Sequence, residues 1–451
     1  MIVRSGLFTA EPMNDEDVMS RGNPRAVKAL SLVVTILPVL VVGANIALLG
    51  LDIPFMDQWE VVPLLDRLER GTFSWPSLFA QHNEHRPVFP RLLWLSLARL
   101  TDYNTNAELW LNLGIALATF AIFLAYTSRF WRHNDIESST RYIYIPILAL
   151  LVFNTVQWES WLMGFQTVMY LGTLCVIAGF MILTNRSGWG GFVAGVLLGI
   201  VATYSMANAL LYWPIGLLLI LLCSAPNCRT LRAIIWGVIG SAMTVVYLHK
   251  WTTEYVSYGT IVSLSLVSYV HRILNFLGAP LLAYPPAFLW GIFSLAVLVL
   301  LAFRMKRNQS LQRVAPYWAI VLFIVGSAVA IGIGRSFGGP RLALAPRYIT
   351  QTTWYWASLL VLLSATRVSR KLKNTSLVLV VFLLILSTLG GTISGYKWRY
   401  LRTLPAYRAV SSGEYVSDDQ LSSISIIGPS QTRQRIETLC DYGWSACRTQ
   451  D

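Results

Sequence analysis

Apolar runs long enough to cross a bilayer recur from residue 30 to residue 395, and they fix most of what this chain can fold into. A hydrocarbon core about 30 Å thick needs roughly 20 apolar residues in helical form. Within it each backbone amide must be satisfied inside its own segment, so the runs are helices. Composition agrees: 55% of the 451 residues are hydrophobic and 13% are charged, against about 25% charged in ordinary soluble domains. The expected fold is all-α and polytopic.

The spans read as 30–50, 107–130, 142–155, 166–184, 188–205, 210–224, 231–249, 286–304, 316–334, 350–366 and 375–395, about eleven in all. Two further apolar segments, Val88–Leu100 and Leu264–Ala283, would raise the count to thirteen. Crossing by both would put Arg132, Arg141, Arg229 and Arg232 on the outer side. They are therefore read as interfacial or re-entrant helices, which suits the Arg91, Arg99, His271, Arg272 and Asn275 they carry.

The net charge of +13 sits mostly in short loops between apolar runs. That pattern encodes membrane orientation and argues against nucleic acid as a partner. Residues 1–27 form a polar tail with Arg4, Arg21 and Arg25, and Lys28 leads into the run Ala29–Leu51. No small-residue cleavage site follows, so the run reads as an uncleaved anchor with a cytoplasmic N-terminus. Arg132, Arg229, Arg304, Lys306, Arg307, Arg313, Arg367, Arg370, Lys371 and Lys373 then all face the cytoplasm. The organisation expected is a tail at 1–27, a membrane domain at 28–395 with its first outer loop at 51–87, and an extracytoplasmic tail at 396–451. Cys440 and Cys447 are the only cysteines placed outside, where their spacing permits a disulfide.

The first outer loop concentrates titratable groups that a membrane chain otherwise avoids: Asp57, Glu60, Asp66, His82, Glu84, His85 and Arg86. Glu159 follows in "NTVQWESWLMGFQ" beside Trp158, and "GRSFGGPRLALAPRY" carries Arg335, Arg341 and Arg347 against the positive-inside trend. Carboxylates facing guanidinium groups at a membrane surface suit one chemistry well. A carboxylate takes a proton from an acceptor hydroxyl while arginines, Arg86 and Arg272 among them, hold a departing phosphate. Each part also has a plainer reading. Asp57 serves as N-cap of an amphipathic helix Gln58–Arg70, Asp66 to Arg70 are that helix's solvated face, and Glu159 is a solvated carboxylate in an aromatic belt. His82 and His85 lack a third ligand fixed by spacing, so a metal centre is not favoured. No Walker motif, dinucleotide fingerprint or nucleophile elbow is present.

The order of these parts resembles the GT-C superfamily of membrane glycosyltransferases. A first span leads to an acidic outer loop with an amphipathic helix, and "HRPVFPRLL", His85 to Leu93, then opens a short apolar helix. The nearest likeness is to the branch of protein O-mannosyltransferases and lipid A aminoarabinose transferases. Asp57 stands at that branch's acidic position, followed by Gln58 rather than a second acid, and Arg86 replaces the first proline of its His-Pro-Pro-Leu-like motif. The resemblance implies inverting transfer of a sugar from a polyprenyl-phosphate donor to a glycan, lipid or protein acceptor, outside a bacterial inner membrane. Asp57 would be the general base, with Glu60 and Glu159 as further acidic groups. His82, Glu84, His85 and Trp158 would line the substrate site, and no cofactor is implied. Two other classes remain open: an O-antigen ligase or polymerase, and a transporter or flippase of lipid-linked glycans. The first favours a large late loop, and the second favours charges at mid-span on broken helices.

Overall fold

The computed structural model describes residues 24–184, 188–252, 265–281, 287–305, 311–334, 344–366 and 370–448. Among them there are no β-strands, and a lone bridge joins His82 to His85. The chain is an all-α polytopic membrane protein. In order it forms α1 (Pro24–Leu49), α2 (Val62–Glu69), α3 (Val88–Thr101), α4 (Thr105–His133), α5 (Ser138–Val152), α6 (Thr167–Thr184), α7 (Trp189–Thr203), α8 (Tyr212–Cys223) and α9 (Pro226–Leu248). Then follow α10 (Leu266–Gly278), α11 (Ala287–Met305), α12 (Leu311–Gly334), α13 (Pro346–Ser364) and α14 (Arg370–Tyr396).

Among the described residues, eight helical stretches are long and apolar enough to cross a membrane. They contain α1, α4, α5, α6, α9, α11, α12 and α14. The expected spans at 188–205, 210–224 and 350–366 are helical too, but α7 and α8 are short and α13 is too polar near its start. Polarity is the key to α13. Every residue from Tyr348 to Leu362 is buried, so Thr350, Gln351, Thr352 and Thr353 face protein rather than lipid. Thr350 Oγ1 donates to Ser160 Oγ at 2.8 Å, and Asn208 Nδ2 donates to Gln351 Oε1 at 2.9 Å. A polar stripe that lipid would exclude is satisfied inside the bundle, which makes α13 its central post.

The two segments expected to lie at the interface are short helices. At about 1.5 Å per residue, the 14 residues of α3 and 13 of α10 reach only about 20 Å, well short of the core thickness. Buried Arg91 on α3 donates through Nη1 to Leu78 O at 2.7 Å and also to Ala80 O. Its role is to tie the end of the first loop to the helix that follows. Burial lowers its pKa to about 10.

The expected boundary at residue 395 falls inside a continuous helix. After Tyr396 the backbone widens into a π-helical stretch, Lys397–Thr403, and runs on as α15 (Leu404–Ser411). Two more helices, α16 (Asp418–Ile424) and α17 (Pro429–Asp441), fold back onto the first loop. Trp59 Nε1 donates to Ile424 O at 2.9 Å, Tyr442 donates to Asp66 Oδ1 at 3.0 Å, and Arg435 pairs with Glu60 at 3.1 Å. Arg448 pairs with Asp52, which also accepts from the amide of Thr105 at 2.8 Å and so satisfies the first amide of α4, whose N-cap is Asn104. The tail and the first loop therefore form one layer at one end of the bundle. Asp66 belongs to this contact and is not simply solvated helix surface.

Cys440 and Cys447 form a disulfide that closes the end of this layer. Replacing both with Ser is expected to cost the layer about 2–3 kcal/mol, the chain-entropy value for so short a loop. Limited proteolysis should then cut faster within residues 412–448 than in the oxidised protein, and equal rates would show that the hydrogen bonds alone hold the tail.

Candidate functional site

Asp57 stands on a strained turn. Phe55 is extended, Met56 takes a left-handed φ of 53°, and a 3-10 helix, Met56–Val61, carries Asp57 in its first turn. A side-chain-bearing residue in that conformation costs about 1 kcal/mol or more, so surrounding contacts must enforce it. Gln58 supplies them. Its Oε1 accepts from the Phe55 amide at 3.1 Å, and its Nε2 donates to Glu108 Oε2 at 2.8 Å inside the bundle. Gly164 lies against this pair, where a Cβ would collide with both side chains. The capping role read for Asp57 thus belongs to Gln58. The Asp57 side chain is 18% exposed.

The second half of the loop brings histidine to that carboxylate. His82 and His85 bond each other's backbone at 2.8 and 2.9 Å across a tight turn, with Asn83 at φ 48°. This places His82 Nε2 at 3.8 Å from Asp57 Oδ1, while the ring packs on Phe165 with centroids 4.8 Å apart. His85 points elsewhere: its Nδ1 accepts from the Ala207 amide at 3.0 Å. Among the described residues no three His, Cys, Asp or Glu side chains converge as metal ligands.

Arg86, expected on phosphate, is engaged by backbone. Nε donates to Tyr247 O at 2.9 Å, Nη1 to Phe79 O at 2.8 Å and Nη2 to His249 O at 2.7 Å. Three carbonyls from two segments are held by one guanidinium, which fastens the loop to the end of α9. Arg86→Ala is expected to lower stability by about 2 kcal/mol, given the worth of hydrogen bonds from a charged donor. Thermal unfolding in detergent reads this, and an unchanged midpoint would show that the loop stays fastened without it.

Glu159 sits in a segment that the sequence suggests is an outer loop. That segment is not solvated, since every residue from Leu151 to Tyr170 is buried. A buried loop must satisfy its own backbone, and this one is laced to α14. Asn154 Nδ2 donates to Ser387 Oγ at 2.8 Å, Thr155 Oγ1 donates to Thr388 O at 2.5 Å, and Gly391 lets the two backbones touch. Glu159 is therefore not a solvated belt carboxylate. Its side chain is 10% exposed and pairs with Arg347 Nη1 at 2.5 Å. Arg347, in the first turn of α13, is 32% exposed and lies within the electrostatic reach of Asp57. Three segments far apart in sequence thus bring Asp57, His82, Glu159 and Arg347 to one end of the bundle.

The remaining expected residues divide. Glu60 faces Arg435 of the tail. Glu84 offers its backbone carbonyl to the Tyr247 hydroxyl at 2.9 Å and to Trp251 Nε1 at 3.2 Å. Trp158 stacks on Trp398, which Arg402 covers from 4.7 Å, so it builds the wall between this segment and the helix after α14. Arg272 is buried on α10 with Nη1 at 3.5 Å from Gly332 O, and burial lowers its pKa. Arg335 and Arg341 lie outside the described residues.

Sequence reading passed over Glu108, Gln58 and Arg399. Arg399, in the π-helical stretch, is buried, covers the Phe55 ring at 4.6 Å, and donates to Leu51 O at 3.2 Å. A signal for the first two was present: an acid in the first turn of an apolar helix, and a glutamine where the family pattern has a second acid. An apolar groove of about 240 Å³ between α11, α13 and α14 runs from Trp356 to Thr366. It therefore begins about 13 Å along α13 from Arg347 and extends away from Asp57. No family model matches this chain, and no curated protein matches it.

Proposed function

We propose that this protein is a GT-C-like membrane glycosyltransferase of about eleven spans. It moves a sugar from a polyprenyl-phosphate donor to a hydroxyl acceptor on the extracytoplasmic face of a bacterial inner membrane. The N-terminus is then cytoplasmic, and the first loop and tail lie outside. The observation that carries this reading is the gathering of Asp57, His82, Glu159 and Arg347 at one end of the bundle.

In the proposed step the Asp57 carboxylate takes the proton of the acceptor hydroxyl. The oxygen attacks the anomeric carbon from the face opposite the phosphate, so the configuration inverts. The bond between that carbon and the phosphate oxygen breaks, and the polyprenyl phosphate leaves with the electron pair. Arg347 supports the charge that develops there, as a fixed guanidinium suits phosphate oxygens. Glu159 holds Arg347 in place, and the His82 ring limits how Asp57 moves.

A photoreactive polyprenyl-phosphate analogue tests donor binding directly. Crosslinks are expected in residues 155–167 and 344–356, and natural polyprenyl phosphate should suppress them. Labelling that avoids both segments would count against the site, and no saturable labelling would count against the donor class.

A further inference from the structure

The opposite end of the bundle carries a second site of different chemistry. Helix α4 runs from Thr105, beside the first loop, to His133, about 43 Å away at 1.5 Å per residue. There the C-terminal ends of α4 and α6 meet the start of α12 around a cavity of about 270 Å³. Arg129, His133 and Arg313 line its mouth, and Phe130, Pro316 and Tyr317 form a buried back wall. Among the described residues no acidic side chain lines it and neither arginine is in a salt bridge.

Both guanidinium groups are held in position by other means. Arg129 lies over the Tyr126 ring at 5.5 Å, and Arg313 Nη1 donates to His133 O at 3.1 Å. These contacts fix the arginines without neutralising them, so each keeps N–H donors for an anion. Solvated arginines at span ends ordinarily set only orientation. Here they rim a cavity with an apolar back wall, at the ends of helices long and apolar enough to cross a membrane.

We propose that this cavity binds the phosphate headgroup of a membrane lipid, with the first methylenes of a chain against Phe130, Pro316 and Tyr317. Charge complementarity selects the phosphate, and the apolar wall at the ends of membrane-length helices selects a lipid over free phosphate. The site does not depend on the reading of Asp57, since it lies at the other face.

The test is binding of phosphatidylglycerol to the full-length protein in neutral detergent, measured by native mass spectrometry. Arg129→Gln and Arg313→Gln are each expected to weaken binding roughly fivefold, the worth of one basic side chain at a lipid headgroup. The Lys variants should keep most of it. Arg129 is exposed and packs over the Tyr126 ring, so its Gln variant keeps the fold and carries the test if Arg313→Gln does not. Unchanged lipid binding in Arg129→Gln would overturn the proposal. Displacement of the lipid by millimolar inorganic phosphate would overturn it too, making this a free-anion site.

Discussion

Asp57→Asn is expected to lower sugar transfer by about 10²–10⁴-fold, the range for removing a positioned general base. The substitution keeps size and shape, so the turn stays as built. Gln58 still holds the Phe55 amide and Glu108, and the His82 turn is closed by its own backbone bonds. Thermal unfolding should therefore move little while turnover collapses. Binding of a polyprenyl-phosphate donor should survive, because the base contacts the acceptor hydroxyl. Near wild-type turnover in folded, purified Asp57→Asn would remove Asp57 as the base. Loss of donor binding together with turnover would make Asp57 a part of the donor pocket instead.

The reasons why parts of this site were legible in sequence, and others were not, are physical. Charge in an apolar chain stands out one residue at a time. Asp57, Glu159 and Arg347 are each anomalous in their own segment, and the bundle brings all three together. Arg86 was equally anomalous, yet its partners are the carbonyls of Phe79, Tyr247 and His249. Backbone acceptors leave no trace in sequence, so an arginine that fastens a loop reads the same as one that awaits a phosphate. The helix α13 inverts the usual hydropathy signal: its Thr and Gln residues argue against a span until the surrounding helices are known to shield them. Nothing in the sequence joins the tail to the first loop, because its contacts with Asp52, Glu60 and Asp66 span more than 350 residues. The disulfide is the one part of that layer visible locally, since its two cysteines are seven residues apart.

Arg347→Ala is expected to reduce turnover about 10²–10³-fold, the cost of losing one fixed donor to developing negative charge. Arg347→Lys should recover part of this, because an ammonium supplies charge without the planar fork. Glu159→Gln separates positioning from charge. It leaves Arg347 intact but removes its 2.5 Å partner, and the nearest remaining carboxylate influence on the guanidinium is Asp57. Arg347 should then shift toward Asp57 and tie up the proposed base. Turnover is expected to fall about tenfold, roughly 1.4 kcal/mol, with donor affinity preserved. Stability should drop by about 1–3 kcal/mol in Glu159→Gln, which leaves Arg347 without its carboxylate. That is less than the full penalty for orphaning a buried charge, because Arg347 is about a third exposed. The double variant Glu159→Gln/Arg347→Ala decides the matter. If Glu159 acts only through Arg347, removing both is no worse for turnover than removing Arg347 alone. Strictly additive losses would mean that Glu159 reaches the reacting groups by itself.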